Sequence, residues 1–93
     1  MLNFNEQQKL IADIRTFAKE IGIVNRILTF EEAKEVIKAI KNIPVSERRI
    51  GIIQNIVTQT IGWTEFRIVE AFDYSDIDYV LDQIKALLDK KDS

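Results

Sequence analysis

The sequence predicts an all-α fold, a compact bundle of four longer helices and one short helix in a single domain covering residues 1–93. Three observations predict it. Apolar residues recur at three- and four-residue spacing along most of the chain. Helix start and stop signals punctuate that pattern, with only three glycines and one proline in the whole sequence. Finally, Ile50–Thr64 carries no charge in a chain that is 30% charged, as expected of a central hydrophobic helix covered on several sides.

The first helix is expected over about Asn5–Ile21, with Leu10/Ile11, Ile14, Phe17/Ala18 and Ile21 as one core stripe. Asn3 and Glu6 have the spacing of a capping box, and Gly22 suits the left-handed residue after a helix end. Ile23–Leu28 reads as an apolar connector. Thr29-Phe-Glu-Glu32 is a second capping box, opening a helix whose core face is Ala33, Val36/Ile37, Ile40 and Ile43. Pro44 ends it.

Ser46 is the expected N-cap of the third, central helix, which runs to Ile61. Eight of its residues from Ile50 to Ile61 are β-branched, which favours strands, but the paired Ile52/Ile53 and Ile56/Val57 have helical spacing. An α+β arrangement, with Ile23–Leu28 and part of 50–61 as a short hairpin, is the alternative. Gly51 is expected to let a neighbouring helix approach closely. Trp63 is expected to plug the core after Gly62. Thr64 then caps a short fourth helix over Glu65–Phe72, and Ser75 caps a fifth over Asp76–Lys90, with Tyr74 and Tyr79 stapling its start.

Composition excludes several chemistries. With no cysteine and no histidine, there is no thiolate nucleophile, disulfide, Cys/His zinc site or imidazole acid–base group. Asp73–Ile84 lacks the glycine and glutamate of a calcium loop, no glycine-rich phosphate loop occurs, and the carboxylate pairs fit exposed helix positions. No catalytic residue, metal or cofactor is expected, and the chain reads as a non-enzyme. Nothing at the start resembles a signal peptide and the uncharged stretch is too short for a membrane span, so a soluble, cytoplasmic protein is expected. Its isoleucine-, lysine- and asparagine-rich composition suits a phage or bacterial accessory protein.

Charge is distributed unevenly although the net charge is only −2. Glu65–Asp82 holds six acidic residues against Arg67, while Lys34–Arg49 holds five basic residues against two acidic ones. A single-signed face can steer a complementary partner, and tyrosine anchors interfaces. The expected function is therefore a small regulatory or inhibitory protein that occludes a basic surface on another protein. Its contact residues would be Glu70, Asp73, Tyr74, Asp76, Asp78, Tyr79 and Asp82. A helix-turn-helix over 54–72 is the alternative, with Arg48, Arg49, Thr64 and Arg67 on DNA, although Glu65 and Glu70 would repel phosphates. Nucleic acid is thus an unfavoured partner. A self-associating structural module, possibly a homodimer, is the third reading.

Overall fold

The computed structural model describes residues 1–93 and is all-α, as the periodicity predicts. Its helices are α1 (Phe4–Glu20), α2 (Phe30–Lys41), α3 (Ile50–Ile61) and α4 (Tyr74–Asp92), with a single 3₁₀ turn at Val45–Glu47. No helix is long and apolar enough to cross a membrane.

The first two helices begin and end where local chemistry demands. The Glu6 amide donates to the Asn3 side chain at 2.8 Å, and the Asn3 amide donates to the Glu6 carboxylate at 3.1 Å. Thr29 and Glu32 repeat the exchange at the start of α2. At the end of α1 the Gly22 amide donates to Lys19 O and the Ile23 amide to Ala18 O. This is the double closure that a glycine at positive φ permits, and Gly22 has φ +88°.

Terminal contacts give the helix directions. Lys90 pairs with Glu6, so α4 runs antiparallel to α1. Lys34 meets Asp92 while Lys41 meets Asp78 and Asp82, so α4 is antiparallel to α2 as well. Arg26, just before α2, reaches the Ile61 carbonyl at the end of α3, so α3 also opposes α2. The main helix pairs are α1 with α4, α4 with α2, and α2 with α3. Helices consecutive in the chain are therefore parallel in two cases, α1 with α2 and α3 with α4. Neither is a main packing pair; of the consecutive helices only α2 and α3 pack closely.

This topology explains the largest departure from expectation. The chain leaving α3 must travel back along the bundle before α4 can start, a distance of about 18 Å for a twelve-residue helix. A helix over 65–72 would cover about 12 Å, whereas extended chain advances roughly 3.3 Å per residue. Residues 62–73 accordingly form no helix. The connector from α1 to α2 makes the opposite return, and the two meet in one antiparallel bridge, Ile23 with Phe66. Val24 donates to Glu65 O at 3.0 Å, Arg67 donates to Gly22 O at 2.7 Å, and Glu65 donates to the Asn25 side chain at 2.9 Å. The strand-like character of Ile23–Leu28 thus finds a partner, but it lies in 62–73 and not in 50–61.

Two helix starts also move. α3 begins at Ile50, four residues beyond the expected cap, because Arg48 leaves helical angles (ψ 60°) and Ser46 sits inside the 3₁₀ turn. α4 begins earlier, since Asp73 and not Ser75 is its N-cap, accepting from the Ser75 amide at 3.0 Å.

Nineteen buried side chains form one core, led by Leu10, Phe17, Ile40, Ile53, Ile77, Leu81 and Ile84. α3 contributes only Ile53 and Val57 to it and lies at the edge of the bundle, so it is not the central helix. Gly51 brings no neighbouring element close: a Cβ built there meets nothing within 4 Å. Gly51→Ala is therefore expected to stabilise the fold by about 0.5–1 kcal/mol through helix propensity. An unchanged or lowered urea midpoint in dilute solution, where each chain is single, would show that Gly51 has a structural role in the folded chain.

Candidate interaction surface

Two of the three arginines considered for DNA contact, Arg48 and Arg67, are engaged in the fold. Each helix that a connector leaves has its last carbonyls closed by an arginine. The Arg67 guanidinium donates to Lys19 O at 2.7 Å, at the end of α1. Arg48 donates from Nε and Nη2 to Ile43 O, just beyond α2, at 3.1 and 2.9 Å, and from Nη2 to Lys41 O, the last residue of α2. Arg26 donates to Ile61 O and Trp63 O beyond α3, and pairs with Glu32. A guanidinium suits this place because it offers several donors to exposed carbonyls and a positive charge to the negative end of the helix dipole.

Arg48 and Thr64 are buried, while Arg49 is exposed. Residues 65–72 form no recognition helix, which removes the second helix of the helix-turn-helix alternative.

The acidic face is only partly free. Tyr74 is buried, so it presents no ring to a partner. Its hydroxyl accepts from Arg48 Nη1 at 2.9 Å, and the Arg48 guanidinium lies 4.9 Å from the Tyr74 ring centroid. Lys41 donates to Asp78 at 3.2 Å and to Asp82 at 2.8 Å. The cluster Lys41–Asp78–Tyr74–Arg48 ties the end of α2 to the start of α4. Asp73 is occupied as the α4 cap. Glu70 and Asp76 are exposed, and Tyr79 is 68% exposed. Tyr74 and Tyr79 thus part company instead of stapling the helix start.

This cluster sets a pH dependence. Burial pushes the Asp78 carboxyl up, but hydrogen bonds from Tyr74 and Lys41 outweigh it and hold it below its usual value. Burial pushes the Lys41 amine down, and its bonds to Asp82 and Asp78 reverse this to a net rise. Burial, then Asp78, raises the Tyr74 phenol. A lowered acid loses its stabilising contribution as pH falls through its folded pKa. The raised lysine and phenol lose theirs as pH rises through their folded values. With no histidine or cysteine to titrate between, stability should be flat from about pH 5.5 to 9 and fall on both sides. A slope in the urea midpoint inside that window would contradict this account.

A different surface is left open. The outward side of α3 presents Gly51, Asn55, Thr58 and Gln59, all exposed and uncharged, with Ile52 half-exposed beside them. The return connector runs alongside. On it Trp63 is 75% exposed, where a core plug was expected, and Ile68 is 84% exposed. Between Ile50, Gly51 and Gln54 on the helix and Phe66, Arg67, Ile68 and Val69 on the connector lies a groove of about 320 Å³. Trp63 stands just past one end of α3 and this groove flanks the other. The connector is held in place by Gly22, Asn25, Arg26 and Arg67, so the apolar residues sit on an ordered scaffold.

The sequence reading missed this surface because it assigned the uncharged stretch to a covered helix. The signal was present in Gly51, which costs a helix stability and serves no packing contact in the folded chain. Fold and surface together define an all-α bundle of four helices with two paired return connectors and an uncharged exposed face. No family model matches the chain, and neither a curated protein nor a solved structure matches it.

Proposed function

We propose that this chain acts by binding protein through α3 and the connector 62–69, as a regulatory or inhibitory module that works by occlusion. The observation that carries the reading is the pair of exposed anchors, Trp63 and Ile68, on an ordered segment beside an uncharged helix face. Large exposed apolar residues beside a helix face without charges suit an interface centre, and tryptophan is the side chain most enriched among binding hot spots. Glu65, Arg67 and Glu70 on the connector remain exposed and give the surface a rim of mixed charge, which fixes register. This reading moves the contact centre from the acidic face to the connector. The absence of cysteine suits a reducing, cytoplasmic setting.

Photo-crosslinking tests it. A photoreactive residue at Ile68 should give discrete cross-linked products in a lysate of the cells that make the protein, whether with other proteins or with this chain. The same residue at Gln8, exposed on α1, should give none of them. No products from Ile68, or the same products from Gln8, would refute the proposal.

A further inference from the structure

We propose that the protein seated on this face is a second copy of the chain, with two α3 helices crossing antiparallel about a two-fold axis near Thr58. The inference rests on the protein-binding reading of the same surface and names its partner. Charge is the first argument. A two-fold contact sets each group near its own copy, so like charges oppose one another and cost free energy. The acidic start of α4 and the lysine-bearing side of α2 are unsuited to that, whereas α3 carries no charge from Ile50 to Ile61.

Shape is the second argument. Trp63 projects 75% of its surface into solvent just past one end of α3, and Gly51 opens a groove at the other end. The two are twelve residues apart in sequence, with their midpoint beside the exposed Thr58. An antiparallel crossing at that midpoint brings Trp63 of each copy opposite the Gly51 groove of the other. The groove, about 320 Å³, is open to solvent along its length, so a side chain from outside can reach it. A knob and a hole at opposite ends of one uncharged helix are self-complementary under a two-fold, as an isologous interface requires. They also give a purpose to a helical glycine that the single chain does not need.

Sedimentation equilibrium of the full chain tests the proposal. The wild type should reach twice 10.8 kDa as concentration rises, and Trp63→Ala should remain at the single mass. Thr58→Glu and Thr58→Lys should each remain single, because each sets like charges opposite across the axis. An equimolar mixture of the two should return to the doubled mass. Circular dichroism identical to wild type shows that the exposed substitutions leave the fold intact. A wild type that stays single at every concentration overturns the inference, as do variants that pair like wild type or a mixture that fails to pair. If the wild type is single while Ile68 still cross-links to other proteins, this inference falls and the protein-binding reading stands.

Discussion

Gly22→Ala should cost about 3–4 kcal/mol and lower the melting temperature by roughly 12–25 °C. Two effects add. Gly22 has φ +88°, where a side chain suffers local repulsion of about 1–2 kcal/mol. Its missing Cβ would also lie 2.8 Å from the Arg67 carbonyl oxygen and 3.0 Å from Val69 Cγ2. The neighbour at 2.8 Å is backbone, and Arg67 is held there by its own amide, which donates to Gly22 O at 2.7 Å. It cannot withdraw without opening the bridge between the two connectors. Gly62 provides the control. It too has positive φ, +90°, but a Cβ there meets nothing within 4 Å, so Gly62→Ala should show the backbone strain alone, about 1–3 kcal/mol. Equal losses at the two glycines in urea titrations would defeat the steric part of the argument.

Arg48→Met should cost about 2–4 kcal/mol, close to the loss expected at Gly22. The methionine keeps much of the buried stem but leaves the Ile43 and Lys41 carbonyls and the Tyr74 hydroxyl without their donor. Losing the partner of a buried acceptor costs more than the bond was worth on balance, because water does not replace it. Arg48→Lys should recover only part of the stability, since one ammonium cannot reproduce the planar fork that serves both carbonyls and the phenol. A double-mutant cycle with Tyr74→Phe should give a coupling of about 1 kcal/mol. An Arg48→Met protein within 0.5 kcal/mol of wild type would show that the cluster does not hold α2 to α4.

The same residues show how far the candidate surface could be read from sequence. Asp78 and Asp82 look like a free acidic patch along the chain. Their neutralising partner, Lys41, lies in another helix 37 and 41 positions away, so the charge asymmetry counted in sequence is partly cancelled in space. Tyr74 looks like an interface residue by type and is a buried hydrogen-bond acceptor by position. Trp63 was expected inside because it follows a glycine helix end, as Ile23 does. Ile23 is buried against the opposing connector, and Trp63 at the other end of that connector pair is not.

What the sequence determined by itself is what neighbouring residues decide among themselves. The caps of α1 and α2, the glycine closure at Gly22, the stop before Pro44 and the core stripes of α1, α2 and α4 all act within one or two turns. The all-α class follows from them. Tertiary structure alone decided the directions of the helices, and everything else follows from those directions. Because α3 and α4 are parallel, residues 62–73 must extend back along the bundle although Phe66, Ile68 and Val69 could equally have lined a helix. Because that segment is extended and pairs with 22–24, α3 is left at the edge, Trp63 and Ile68 face solvent, and the uncharged stretch becomes an open face. Helix direction is a balance of packing among residues far apart in the chain, and local pattern carries no record of it.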